Sequence, residues 1–162
     1  MAVRQFDKTD DSETIVVLDF GAQYSQLIAR RVREVGVRTL IVPSEDPEGL
    51  NVKNLRGIIL SGGPTSVYQE GAPQLQDSIM SLGVPILGIC YGMQTMAVQL
   101  GGNANSAEKA EFGFAKVRAR HHSELLHNIS DEINSAGHRF LDVWMSHGIE
   151  VIKLPTDFNL IA

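Results

Sequence analysis

Apolar residues in this chain fall in short runs separated by polar and glycine-rich stretches, and the runs switch between two periods. Thr14 to Phe20 (TIVVLDF) is continuous and rich in β-branched residues, the pattern of a strand buried on both faces. From Ala22 to Val35 the apolar positions Tyr24, Leu27, Ile28, Val32 and Val35 recur at helical spacing, which predicts a helix with Leu27, Ile28 and Val32 in its core face and Gly36 as C-cap. Val37 to Val42 (VRTLIV) predicts a second strand. Positions 43–54 read as a polar connection with room for a turn of helix, and Gly57 to Leu60 (GIIL) as a third strand. Leu75 to Leu82 predicts a helix, Val84 to Ile89 a strand, and Tyr91 to Leu100 a helix stopped by Gly101-Gly102. Phe112 to Arg120 alternates as a half-exposed strand does. Leu141 to Met145 and Val151 to Leu154 predict a further strand pair, and Leu160-Ile161-Ala162 the start of a last strand.

Helices that alternate with short apolar strands must cover the faces of a sheet. The fold class that follows is α/β, a mostly parallel open sheet with helices on both faces. No repeat, low-complexity segment or linker divides the chain, so one domain over 14–162 is expected behind a polar tail at 1–13.

Composition narrows the function classes. Fourteen basic against nineteen acidic residues give a formal charge of −5, and no basic block is present to neutralise phosphates, so no nucleic-acid partner is expected. No apolar run is long enough to cross a bilayer and the N-terminus lacks a signal-peptide core, which predicts a cytoplasmic protein without a membrane partner. A single cysteine excludes an internal disulfide and any multi-cysteine metal site; no metal is expected.

That cysteine, Cys90, stands in Gly88-Ile89-Cys90-Tyr91-Gly92, where a strand pattern gives way to a helical one. The spacing is that of a nucleophile elbow, with sulfur where GxSxG hydrolases carry a serine hydroxyl. Glycines on either side allow a sharp bend, and the N-terminus of the following helix favours negative charge on the sulfur. A lone cysteine after an apolar strand is also a common small core residue, and the pentapeptide alone leaves both readings open. Ser61-Gly62-Gly63-Pro64, at the carboxyl end of the third strand, reads either as a tight turn or as backbone N–H groups aimed at a ligand.

Five stretches, in order, resemble the class I glutamine amidotransferases, and within them the amidotransferase domains of the GMP synthases. They are Val17 to Val37, Gly57 to Val67 (GIILSGGPTSV), Gly83 to Gly102 (GVPILGICYGMQTMAVQLGG), Glu111 to Val117 (EFGFAKV) and Asp142 to Gly148 (DVWMSHG). The resemblance implies a flavodoxin-like architecture and Cys90 as nucleophile on the side-chain amide of L-glutamine. It also implies an oxyanion hole from the backbone at Gly63 and Tyr91, where a side chain on Gly63 would obstruct the substrate's amide carbon. Substrate contacts are implied for Gln94, Ser146 and His147, the last two also placed to face a partner domain. The ammonia released would pass to an ATP pyrophosphatase (synthetase) domain, where ATP and magnesium drive conversion of XMP to GMP; the amidotransferase domain itself needs no cofactor. Arg30, Arg31 and Arg33 are read as solvated or partner-facing, not catalytic.

The family's His-Pro-Glu segment, which supplies the base, does not occur in this sequence. The resemblance therefore implies a domain incomplete at its C-terminus, with weak or absent turnover alone and an uncovered sheet edge that invites association. His122-Ser123-Glu124 imitates the spacing but follows a strand and opens a predicted helix on the surface; His121, His127 and His138 sit in similarly polar surroundings. Ala110 stands where the family has Arg, and Ile149-Glu150 where it continues with Asp, departures expected to impair coupling to a partner domain. Two other readings stay open: a non-catalytic module that binds glutamine or a partner, and an unrelated cysteine hydrolase on the same kind of elbow.

Overall fold

The computed structural model describes residues 11–63, 66–120 and 123–162, and of 47 and 108–110 the backbone alone. Most of the polar tail, Pro64 and the histidines at 121 and 122 lie outside the described residues, as does the side chain of Ala110. The chain forms two compact units, 1–99 and 100–162.

The first unit is a parallel sheet. Its strands are β1 (Thr14–Asp19), β2 (Arg38–Pro43), β3 (Leu55–Leu60) and β4 (Ile86–Gly88), in the order β2-β1-β3-β4. Val16, Val17 and Leu18 are consecutive and all buried, so β1 is covered on both faces as its unbroken apolar run predicts. With Leu40, Val42, Ile58 and Leu60 from its neighbours they form the core, each side chain contributing about 1.5–3 kcal/mol by leaving water. The connections β1 to β2 and β3 to β4 leave the centre in opposite directions. Right-handed crossovers then put the intervening helices, α1 (Ser25–Glu34) and α2 (Asp77–Met80), on opposite faces.

Local chemistry sets the boundaries. Asp19 ends β1, and its carboxylate accepts from Gly21 N–H (2.9 Å) and Ser25 Oγ (2.6 Å), which turns the chain into α1. That helix buries Ser25 and Ala29, whereas Leu27 is 46% exposed. The expected core role of Leu27 is corrected: Ser25 and Ala29 hold the sheet-facing line, with Ile28 and Val32 half-buried beside them. Arg30 and Arg31 pair with Glu34 in solvent, and Gly36 takes φ +85° just past the C-cap. A single 3-10 turn, Pro47–Leu50, fills the polar connection.

The helix expected over 75–82 shrinks to Asp77–Met80. Its first residues are held elsewhere: the Gln99 side chain donates to Leu75 O (2.7 Å) and accepts from Leu75 N (2.8 Å), so Leu75 is pinned outside the helix. The strand over 84–89 is likewise shorter, Ile86–Gly88, and runs directly into α3 (Tyr91–Gln99).

The second unit is an antiparallel sheet of β5 (Asn103–Ala119), β6 (Glu132–Ile133) and β7 (Arg139–Lys153), ordered β5-β7-β6. Four expectations are corrected here. Leu141 to Met145 and Val151 to Leu154 are not a strand pair but parts of one continuous β7. The polar stretch between them keeps the period of two, with Met145, His147 and Ile149 half-buried and Ser146, Gly148 and Glu150 exposed. β5 begins at Asn103, well before Phe112, because its polar first half is templated by pairing with 149–153 across a register shift between Ser106 and Glu111. Positions 123–128 form turns, not a helix: Ser123 Oγ accepts Leu126 N–H and Asn128 takes φ +57°. Residues 160–162 are outside any strand, although Ile161 O accepts Arg120 N–H at 2.8 Å.

Candidate active site

At the carboxyl edge of the parallel sheet, β4 passes into α3 through two residues, Ile89 and Cys90. Ile89 N–H donates to Leu60 O (2.9 Å), which continues the ladder by one bond beyond the strand, and Cys90 then takes φ +51°. A left-handed backbone at a residue that carries a β-carbon costs about 1–2 kcal/mol. Such strain persists only where the surroundings over-determine it.

Both flanking glycines do that. A β-carbon on Gly88 would lie 2.6 Å from Met93 Cα, and one on Gly92 2.5 Å from Leu60 Cβ and O. Strand end and helix start are therefore in backbone contact, closed further by Gly92 N–H, which reaches both Ser61 O and Ile89 O at 3.0 Å, and by Gln94 N–H on Cys90 O at 3.0 Å. Cys90 itself is exposed. The small-core-residue reading of this cysteine is overturned: what is buried at the elbow is Tyr91 and Gly92, while the sulfur-bearing residue faces out.

The loop after β3 lies against the elbow. Ser61, fully buried, donates its N–H to Leu18 O (3.0 Å) and its hydroxyl to Gly62 O (2.9 Å), and accepts Phe20 N–H (3.1 Å), tying together the ends of β1 and β3. A β-carbon on Gly62 would sit 3.7 Å from Cys90 Cβ and 3.5 Å from Ala22 Cβ. Three strand ends thus bring Ala22, Gly62 and Cys90 together at one spot. At Gly63 a β-carbon would meet the Tyr91 ring at 3.0 Å and Phe20 O at 3.2 Å. A side chain at Gly63 would thus crowd the Tyr91 ring as well as the space that the family resemblance assigns to the substrate's amide carbon.

Tyr91 is held on both ends. Its ring tilts 49° against Phe20 at 5.4 Å and its hydroxyl donates to Pro73 O at 2.6 Å, so the residue after the cysteine is fixed in place. Neither Phe20 nor Pro73 stands out in the sequence, since nothing in their local pattern records a partner as far along the chain as Tyr91. Gln94 is 5% exposed, one turn into α3.

Gly63, Cys90, Tyr91 and Gln94 are therefore gathered in the first unit, and Ser146 and His147 lie on β7 of the second. Ser146 is exposed. His147 is half-buried, with Nε2 3.2 Å from Glu111 Oε2 across the β5–β7 ladder and a buried Nδ1 without a hydrogen-bond partner among the described residues. Glu111 is a contact that sequence reasoning missed, because the cross-strand register that sets it opposite His147 is a tertiary fact. All five histidines of the chain come after residue 100; the first unit contains none. Among the described residues no group of three or more His, Cys, Asp or Glu is placed to hold a metal ion. An exposed, backbone-constrained sulfur beside a glycine loop is suited to nucleophilic attack on a carbonyl carbon.

Comparison with known proteins agrees in outline. The family model of Glutamine amidotransferase class-I matches residues 16–162. The chain is 60% identical over 151 residues to a GMP synthase (glutamine-hydrolyzing) from Ruthia magnifica subsp. Calyptogena magnifica, and 55% identical over 152 residues to one from Thiobacillus denitrificans. Those alignments cover 93% of this chain and 28% and 29% of the relatives, so the chain spans less than a third of their length. Among solved structures, a protein described as a GMP synthase component from Thermoplasma acidophilum superposes with a TM-score of 0.70 at 32% identity, covering 93% of this chain and 72% of that one. A glutamine amidotransferase from Thermotoga maritima shares the fold, with a TM-score of 0.64 at 21% identity over 91% of this chain and 64% of that one.

Proposed function

The chain belongs to the class-I glutamine amidotransferases, and on that premise we propose that it is the glutamine-hydrolysing part of a GMP synthase, with Cys90 as the nucleophile. The observation that carries the reading is the exposed Cys90 at φ +51° with the Gly62-Gly63 loop against it. The sulfur attacks the side-chain amide carbon of L-glutamine, a C–S bond forms, the C–N bond breaks and ammonia departs. Water then cleaves the glutamyl thioester to glutamate and restores Cys90.

Each neighbour has a role in this scheme. The backbone N–H groups of Gly63 and Tyr91 stabilise the oxyanion, and the packing of the Tyr91 ring between Phe20 and Gly63 keeps the two in register. Gln94 helps to hold the substrate, with Ser146 and His147 contacting its amino-acid head group or the partner domain. Ammonia passes to a synthetase domain that uses ATP and magnesium to convert XMP to GMP; no residue of this chain is assigned to either. The reading places the protein in the cytoplasm, and among the described residues no helix is long and apolar enough to cross a membrane.

Proton transfer from sulfur to the departing nitrogen requires a base. Residues 1–99 carry no histidine and no His-Pro-Glu occurs within residues 1–162, so the assay supplies that segment on a second polypeptide. The test measures ammonia release from glutamine by this chain, alone and mixed with a polypeptide bearing the segment, with Cys90→Ala as control. Release only on mixing, abolished by the control, supports the scheme. Release by the chain alone that Cys90→Ala abolishes would mean that a residue of this chain is the base, and no release under either condition, with no labelling of Cys90 by an alkylating glutamine analogue, favours a non-catalytic binding module.

A further inference from the structure

Every polar atom of Ser61 is engaged, and its partners come from three segments. Its N–H donates to Leu18 O (3.0 Å) near the end of β1, and its carbonyl oxygen accepts Gly92 N–H (3.0 Å) from the first turn of α3, two residues after Cys90. Its hydroxyl accepts Phe20 N–H (3.1 Å) and donates to Gly62 O (2.9 Å). A hydroxyl has one proton to give. With Phe20 N–H on a lone pair and the residue fully buried, no water competes and that proton is committed to Gly62 O.

The bond to Gly62 O bears directly on a neighbouring donor. Gly62 C=O and Gly63 N–H belong to one peptide group, and no cis peptide bond occurs among the described residues. In a planar trans peptide the C=O and the N–H point in opposite directions. By holding Gly62 O on its own side, the Ser61 hydroxyl turns Gly63 N–H to the other. Among the described residues that N–H makes no hydrogen bond, and the Ser61 hydroxyl is the one partner this peptide group has.

The backbone alone does little to keep that orientation. A peptide group flips by turning over ψ of one residue and φ of the next, and glycine stands on both sides of this one. Glycine takes φ > 0 about as readily as φ < 0, so the flipped form meets no β-carbon penalty at position 63. A flip would also reverse the chemistry. It would bring Gly62 C=O round to where Gly63 N–H had pointed, and an acceptor there repels the negative oxygen that a donor stabilises.

We infer that Ser61 is a positioning residue for glutamine hydrolysis: its hydroxyl locks the Gly62–Gly63 peptide in the orientation that presents Gly63 N–H to the oxyanion. This role rests on the assignment of Gly63 as an oxyanion donor in the attack by Cys90, and adds the side chain that decides which way the donor faces. Ser61 acts through the peptide group, not on the substrate. Because its carbonyl also holds Gly92, the donor loop and the turn that carries the nucleophile share one buried anchor.

Glycine labelled at both the carbonyl carbon and the amide nitrogen marks, by NMR of the whole chain, only its two Gly-Gly peptides, 62–63 and 101–102, and the second is an internal reference. The parent should show one Gly63 signal, and Ser61→Ala a broadened or doubled one with Gly102 unchanged. In the ammonia assay with the polypeptide bearing His-Pro-Glu, Ser61→Ala should lose about 10- to 100-fold in kcat, with KM for glutamine changed by less than about 3-fold, since the lost interaction is made in the transition state. Ser61→Thr keeps the hydroxyl but crowds a buried site, so it should melt earlier than the parent yet recover most of the kcat that Ser61→Ala loses. A single, unchanged Gly63 signal in Ser61→Ala, parent-like kcat in that variant, or kcat that merely follows melting temperature across the variants overturns the proposal. Should Ser61→Ala fail to fold, Ser61→Cys, which fills the space with a weak donor, takes its place in both measurements. A parent that releases no ammonia on mixing and resists labelling by the glutamine analogue overturns the reading of Cys90 itself, and the role of Ser61 falls with it.

Discussion

Gly92 rests on Leu60 so closely that a β-carbon at position 92 would lie 2.5 Å from both the β-carbon and the carbonyl oxygen of the leucine. The first turn of α3 is thereby seated on the end of β3, and the elbow is held by backbone contact, not by side-chain packing alone.

Gly92→Ala must displace backbone, and an overpacked core site costs about 1–3 kcal/mol. Gly36 offers a contrast: φ is +85° but nothing lies within 4 Å of an added β-carbon, so Gly36→Ala should cost only the left-handed penalty of about 1–2 kcal/mol. Urea melts of the two variants check the order. In the complemented assay Gly92→Ala should also lose glutamine turnover out of proportion to its stability, because Cys90 rides on the same turn.

The strain at Cys90 predicts an inverse relation between stability and chemistry. Cys90→Ala and Cys90→Gly should both abolish labelling by a glutamine analogue, but glycine accepts φ +51° without the β-carbon penalty. After allowance for its looser unfolded chain, Cys90→Gly is expected to be as stable as Cys90→Ala or more stable by up to ~1 kcal/mol. A glycine variant that melts well below the alanine variant would remove strain from the account of this elbow.

Gln99 holds Leu75 by both backbone polar groups, and Thr95 Oγ1 donates to the same Oε1 at 3.1 Å. Gln99→Ala leaves part-buried backbone groups unpaired at about 1–3 kcal/mol. Because Tyr91 is fixed through Pro73, two residues before Leu75, the variant should also lower glutamine turnover in the complemented assay.

Exposed ion pairs at Glu34 and at Lys116 predict opposite pH dependences. Hydrogen bonds from Arg31 and Arg30 hold the Glu34 carboxyl below its ordinary value, so its contribution is present above the unfolded-state value and lost as pH falls through the lowered folded value. The hydrogen bond to Glu132 raises Lys116 above the usual lysine value, so that contribution is full below the unfolded-state value and lost as pH rises through the raised one. Glu34→Gln should therefore differ from the parent at neutral pH and converge with it in acid, and Lys116→Met should differ at neutral pH and converge in alkali. Both differences should shrink in high salt, since all the groups are exposed.

The parallel sheet was legible because buried strands are written as unbroken β-branched runs, and Val16, Val17 and Leu18 carry that signature in adjacent residues. The elbow was legible for a similar reason: Gly88 and Gly92 are local consequences of a backbone contact and leave a five-residue trace. What stayed hidden was whatever depended on a distant partner. Leu75 looked helical until Gln99 took both of its backbone groups, and β7 looked broken at Ser146 to Glu150 until β5 supplied the ladder.

By itself, the sequence determined where the chain bends, which runs are buried, and which residue at the bend carries the sulfur. These follow from propensities and spacings that act over a few residues. Only the tertiary structure decided that Cys90 faces out, that a β-carbon on Gly63 would press on the Tyr91 ring, and that Glu111 meets His147. Each of those depends on register and strand order between segments tens of residues apart, and such pairings are chosen by the burial and hydrogen bonding of the whole unit, not by any local pattern.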